Sequence, residues 1–252
     1  MRDSPNGPLL TPDDPPPVQV INPSGASRFL LLGDHAGNIV PAALRSLGVG
    51  PGELSRHIGW DIGIAGLGEA LAAMLDATFI RQTYSRLVID CNRDPGAIDA
   101  MPAVSDGTVV PANAALDPDD RAARVAAIHT PYQTAIAAEL ARRDAAGVTT
   151  ELVSLHSFTP TMRGFARPWE IGVLHDRGNL SLAHRTLARL NAMSGLTVGD
   201  NEPYRMDSID YTIPRHAGPD RPYLELEIRQ DLLATPAGIA EWADRIADLL
   251  AD

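Results

Sequence analysis

Two short apolar runs constrain this chain more than any other feature. Phe29-Leu-Leu-Leu-Gly33 and Leu152-Val-Ser-Leu155 are nearly continuous in hydrophobicity and do not alternate with polar residues. A strand with one wet face alternates, whereas a continuous run is covered on both faces, as in a parallel sheet between two helical layers. Each run leads into a histidine, His35 in Asp34-His-Ala-Gly-Asn38 and His156 in His156-Ser-Phe-Thr-Pro160. Open α/β sheets bind ligands outside the carboxyl ends of their strands. Two imidazoles leaving two strands are therefore placed to meet over one sheet edge.

The rest of the chain alternates strands with helices. A strand over Arg28–Gly33 is followed by a helix opened by Pro41 and running through Leu47. Ile64, Leu67, Leu71, Met74 and Leu75 recur at helical spacing. Strands are expected at Ala77–Ile80, Arg86–Asp90, Thr149–His156 and Trp169–Leu174, with a half-polar strand at Tyr223–Arg229. Residues 96–116 read as a long loop with one small hairpin. Asp117–Ala146 reads as a helix kinked at Pro131, and further helices cover Ser181–Met193 and Pro236–Ala251. This order predicts a three-layer α/β/α sandwich around a mixed, mostly parallel sheet. At 252 residues, one large domain over 25–252 is expected, preceded by an extended, proline-rich segment over 1–24.

Composition removes several functions. All 21 basic residues are arginine, so Schiff-base lysine chemistry and a P-loop are excluded. A net charge of -11 argues against nonspecific nucleic-acid binding and against docking on an anionic membrane. The single cysteine, Cys91, rules out an intrachain disulfide framework and a Cys-rich zinc site. With no apolar leader and no run long enough to span a bilayer, the expectation is a cytoplasmic protein.

His35 and His156 read equally well as hydrogen-bonded loop residues or as two ligands of a zinc site, with Asp34, Asn38 and Asp61 the candidates for a third. Arg86, Asp90, Asn92 and Arg93 cluster near one expected strand exit, either as surface ion pairs or as a fork for a substrate carboxylate. Glu225, Glu227 and Arg229 share one face of the Tyr223–Arg229 strand. They are the polar face of an edge strand or, beside a metal, the source of a general base. His216 lies in Thr212-Ile-Pro-Arg-His-Ala217 and is either solvated or a proton donor.

Six segments carry a family resemblance. They are Gly33-Asp-His-Ala-Gly-Asn-Ile-Val-Pro41, His57-Ile-Gly-Trp-Asp-Ile-Gly63, Ser85-Arg-Leu-Val-Ile-Asp-Cys-Asn-Arg-Asp-Pro95, Ser154-Leu-His-Ser-Phe-Thr-Pro160, Gly199-Asp-Asn-Glu-Pro-Tyr204 and Glu225-Leu-Glu-Ile-Arg-Gln-Asp-Leu232. Each is weak alone; in this order they resemble the N-formylglutamate amidohydrolases, a family similar in fold to the zinc carboxypeptidases. The chain departs from the family at Asp34-His-Ala-Gly-Asn38, where many members have Glu-His-Ala-Ser-Asn.

The resemblance implies a metal-dependent amidohydrolase domain that acts on a small anionic substrate, an N-acyl acidic amino acid such as N-formyl-L-glutamate. It implies zinc, with another divalent metal as the alternative, on His35, His156 and Asp61. Glu227 is the implied base, with His216 as a further catalytic candidate. Arg86, Asn92, Arg93, Arg229 and Ser157 are the expected substrate contacts.

Overall fold

The computed structural model describes residues 8–206 and 210–251. A seven-stranded sheet runs through the molecule in the order β1-β3-β2-β6-β11-β9-β10. Its strands are β1 (Val18–Ile21), β2 (Phe29–Gly33), β3 (Thr78–Gln82), β6 (Glu151–Phe158), β9 (Ile171–Leu174), β10 (Val198–Asp200) and β11 (Tyr223–Arg229). Two small hairpins stand outside it, β4 (Val104–Ser105) with β5 (Thr108–Val109) and β7 (Thr161–Met162) with β8 (Phe165–Ala166). The pairs β3–β2, β2–β6, β6–β11 and β9–β10 are parallel; β1–β3 and β11–β9 are antiparallel. The helices are α1 (Pro51–Leu54), α2 (Ile64–Met74), α3 (Pro118–Arg124), α4 (Thr130–Ala145), α5 (Ser181–Asn191), α6 (Thr212–Ala217) and α7 (Pro236–Leu250). The expected mixed, mostly parallel sheet between helices is observed.

Each central strand feeds two separate cores. Phe29, Leu31, Val153, Leu155, Leu224, Leu226 and Ile228 join α2, α5 and α7 on one face. Leu30, Leu32, Leu152 and Tyr223 join Ile128, Tyr132 and Ile136 on the other. This double coverage is the physical reason that the runs at β2 and β6 do not alternate.

Several expectations are corrected. Residues 18–21 of the proline-rich segment form β1 and pair with β3, while residues 1–7 of that segment lie outside the described residues. The helix expected from Pro41 to Leu47 is one 3₁₀ turn over Ala42–Leu44, because Arg45 and Leu47 take φ of 55° and 56°. The Arg86–Asp90 stretch, buried from Leu87 on, turns instead of extending, with Val88 N–H on Ser85 O at 2.8 Å and Arg93 N–H on Asp90 O at 3.3 Å. Around Pro131 the helix does not simply bend. Val125–His129 widens into a π turn, with Thr130 N–H reaching back to Val125 O, and α4 restarts with the proline in its first turn. Finally, β11 is not an edge strand: it sits between β6 and β9, so its glutamates are buried.

Candidate active site

On the face that meets α4, the sheet changes character along its length. Parallel register sets Tyr223 beside Leu152, Glu225 beside Ser154 and Glu227 beside His156. β2 contributes Leu30 and Leu32 on this face and then leads into Asp34 and His35. The strands thus enter as hydrocarbon and leave as carboxylate, hydroxyl and imidazole, all at their carboxyl ends. Asp61 arrives from the segment before α2, anchored by its N–H on His35 O at 2.9 Å. Ser157 holds it from β6: its N–H lies 3.3 Å from Asp61 Oδ2, and its hydroxyl donates to Ile62 O at 2.9 Å.

Three ligand atoms converge. His35 Nδ1 and His156 Nδ1 are 3.2 Å apart, and Asp61 Oδ2 lies 3.4 Å from the first and 2.9 Å from the second. A tetrahedral ion with bonds near 2.0–2.1 Å needs ligand atoms about 3.4 Å apart. The far side of each ring also has an acceptor. His35 Nε2 meets Asp90 Oδ1 at 2.7 Å, and His156 Nε2 meets Ser154 Oγ at 3.1 Å and Asp34 Oδ2 at 3.4 Å. A proton on each Nε2 leaves both Nδ1 lone pairs facing Asp61, an arrangement stable only with positive charge between them. Carboxylate-backed imidazoles of this kind are the usual second shell of a metal site. The group of His35, Asp61 and His156 could hold a metal ion, and all three are buried.

The electrostatics agree with this reading. Burial and Arg86 oppose a charge on His35, but Asp90 and Asp61 outweigh them and raise its pKa. Burial also opposes a charge on His156, and Glu225, Asp34 and Asp61 raise it well above the ordinary value. Burial pushes the Asp61 carboxyl up, yet the two imidazoles hold it far below the usual range. The pocket therefore favours a cation at this point. Glu225 and Glu227 differ from the aspartates: burial raises each to about 8, against the pull of His156. Each has an Oε2 without a hydrogen-bond partner among the described residues.

A cavity of about 470 Å³ opens over this group, walled by Arg86, Arg93, Arg163, Tyr204, Arg205 and Glu227 among others. Most of the expected substrate contacts are engaged within the protein. Arg86 turns its fork onto Asp90 Oδ2 at 2.6 and 3.1 Å and reaches Asp61 Oδ1 at 3.4 Å, which positions the acid behind His35. Asn92 Oδ1 accepts from Tyr211 and Thr212 N–H and so caps α6, while its Nδ2 donates to Asp210 at 3.2 Å. Arg93 lines the cavity near Asp99 and Asp210, at 3.4 and 3.7 Å.

Two expected site residues stand apart from the cavity. Arg229 ends β11 paired to Asp231 at 2.8 Å and does not line it. His216 sits in α6 with Nε2 on Gln133 Oε1 at 2.7 Å, also away from the cavity. Asn38, the alternative ligand, points its amide to Leu54 O at 3.4 Å.

Sequence reasoning missed Arg163, Arg205 and Tyr204. Arg163 forms the tip of the β7–β8 hairpin with Gly164, both at positive φ. The Arg-Gly pair between short extended runs was the available signal. Gly37 explains the departure from the family pattern, since a Cβ there would run into the Thr83 carbonyl. A serine would require the backbone to move.

The fold and site define an α/β protein in which two parallel strands each lead to a histidine, and the segment before α2 brings a carboxylate, at one buried point beside a glutamate. The N-formylglutamate amidohydrolase family model matches residues 27–234, and the chain belongs to that family. Among solved structures, it is 36% identical to gene product Atu2144 from Agrobacterium tumefaciens, with 96% of each chain covered and a TM-score of 0.92. An N-formylglutamate amidohydrolase from Ralstonia eutropha JMP134 shares the fold at 20% identity and a TM-score of 0.67, over 92% of this chain and 95% of that one. No curated protein matches the chain significantly. Among the described residues, no helix is long and apolar enough to cross a membrane.

Proposed function

We propose that the chain is a metal-dependent amidohydrolase that cleaves N-acylated acidic amino acids, with N-formyl-L-glutamate, giving formate and glutamate, as first choice. The observation that carries this is the convergence of His35 Nδ1, His156 Nδ1 and Asp61 Oδ2 within 3.4 Å, with the buried Glu227 directly opposite His156 in register. A two-histidine, one-carboxylate set suits zinc, with another divalent ion as the alternative. When bound, such an ion supplies Lewis-acid chemistry, polarising the scissile carbonyl and acidifying water.

The chain's own residues supply the rest. Glu227, whose Oε2 has no hydrogen-bond partner among the described residues, takes a proton from the attacking water and passes it to the leaving nitrogen; a cation held beside it would favour the ionised form that burial alone opposes. Asp90 and Asp34 hold the imidazoles in the tautomer that frees Nδ1. Arg93 binds a substrate carboxylate from the cavity wall. Arg163 and Arg205, which line the same cavity and make no ion pair with a described residue, are suited to a second carboxylate.

The cavity volume favours one further reading. About 470 Å³ is room for a drug-sized ligand, more than a formyl group needs. A deacylase acting on larger N-acyl groups or short peptides therefore fits the same scaffold. The test is a panel of N-formyl, N-acetyl and longer N-acyl amino acids offered to chelator-stripped and zinc-loaded protein. Formate release that depends on zinc supports the first reading, and zinc-dependent release of a larger acid supports the second. Turnover that survives complete metal removal would defeat both.

A further inference from the structure

Tyr204 reaches the cavity because two glycines let its loop lie flat on the sheet. Glu227, Gly172 and Gly199 are neighbours in register across β11, β9 and β10, so their side-chain positions share one face. On that face neither glycine has a Cβ, and Glu202 O occupies the space that each Cβ would take. The backbone of Glu202 is thereby laid directly beside Glu227, and two residues later Tyr204 turns into the cavity with Glu227 and His156.

Among the described residues, Arg167 holds the Tyr204 side chain from one side. Arg167, tied by its N–H to Pro160 O at 2.9 Å, stacks on the Tyr204 ring with its guanidinium 4.7 Å from the centroid. Its NH1 group donates to Tyr204 Oη at 2.9 Å. A phenol has one donor and accepts as well. Here the acceptor side is occupied by a cation, and among the described residues no acceptor takes the hydroxyl's own proton. A charge-assisted bond into the oxygen makes that proton a stronger donor. The residue as a whole is 41% exposed, but desolvation of its hydroxyl and then the nearby Glu227 push the Tyr204 pKa up, so the hydroxyl keeps its proton near neutral pH.

We propose that Tyr204 is a catalytic residue, its hydroxyl donating a hydrogen bond to the scissile carbonyl oxygen as negative charge gathers there. The proposal rests on the amide-hydrolysis reading above. No proton is transferred: Tyr204 stays protonated throughout, and the proton traffic belongs to Glu227. Arg167 is a positioning residue that acts through Tyr204, and Gly172 and Gly199 are the floor that brings the loop close.

The test is steady-state hydrolysis of N-formyl-L-glutamate and the same N-acyl panel by the zinc-loaded full chain. Tyr204→Phe keeps the ring and its stacking but removes the donor. kcat should fall about 100- to 1000-fold, as for other oxyanion donors, with KM little changed. Arg167→Gln should slow the wild-type chain about 10-fold or more yet add little in the Tyr204→Phe background, because the two act as a unit. A Tyr204→Phe variant with wild-type kcat, a loss confined to KM, or fully additive losses would each overturn the proposal. A wild-type chain that turns over nothing on the panel would instead defeat the underlying functional reading, and Tyr204 with it. Melting curves on each variant separate lost chemistry from lost fold.

Discussion

The two faces of the central strands follow the same backbone and end differently. On the face against α2, α5 and α7, Val153, Leu155, Leu224, Leu226 and Ile228 stay apolar along the strands. On the opposite face Leu152 gives way to Ser154 and His156, and Tyr223 to Glu225 and Glu227. Both faces are buried. One face is sealed by hydrocarbon; the other ends under a cavity, where polar groups answer only to one another. Because adjacent residues point to opposite sides of a strand, a one-residue step separates stabilising the fold from carrying the chemistry.

The strongest way to break this comparison is Glu227→Gln. The amide keeps the shape and removes the base, so kcat should fall roughly 100- to 10,000-fold while zinc and melting temperature hold. Loss of zinc instead would mean that Glu227 serves the metal and not the water. One residue away, Leu226→Ala should do the reverse. A truncated buried leucine costs about 2–5 kcal/mol in denaturant stability, with turnover per folded molecule unchanged. Equal damage to both properties by either variant would dissolve the division of labour between the faces.

A smaller effect is expected from Asp90→Asn, which weakens the acceptor behind His35. Metal affinity, read by competition with a chelator, should drop about 10- to 100-fold. An unchanged affinity would detach the Arg86–Asp90 pair from the metal reading.

The smallest effect concerns His216, a half-buried polar group on the same side of the sheet but outside the cavity. Burial first, and Arg215 second, push its pKa down to about 4. An unfolded imidazole titrates near 6.5, so between these values the unfolded chain binds the extra proton. This contribution to stability is present above about pH 6.5 and is lost as pH falls towards 4. With the ring partly exposed, the effect is on the order of 1 kcal/mol. His216→Asn should flatten that part of the stability profile measured by urea midpoints from pH 7 to pH 4.5; an identical profile would assign the acid sensitivity elsewhere.

How far the sequence could be read depended on whether a signal was local. Burial on both faces is written into the run Phe29–Leu32, and β2 and β6 were legible for that reason. The six ordered segments made the family legible, and the histidines at the strand exits pointed to one edge. Arg86–Asp90 misled, because an apolar stretch without a sheet partner buries itself equally well in a turn. Arg229 and His216 look like site residues in one dimension, but nothing local records that Asp231 and Gln133 hold them elsewhere.

What the sequence determined by itself is the layered α/β architecture, the inventory of imidazoles, carboxylates and arginines, and the absence of lysine and paired cysteine chemistry. Only the tertiary structure decided which of these groups meet. It chose Asp61 over Asp34 and Asn38 for the convergence with the two histidines, set Asp34 and Asp90 behind the rings, and paired Arg86 with Asp90 at the cavity wall. It also brought Tyr204 into the same cavity as Glu227. The reason is physical: element type follows from nearest-neighbour periodicity, whereas an active site joins residues as far apart in the chain as His35 and His156, through strand order and register that no local pattern encodes.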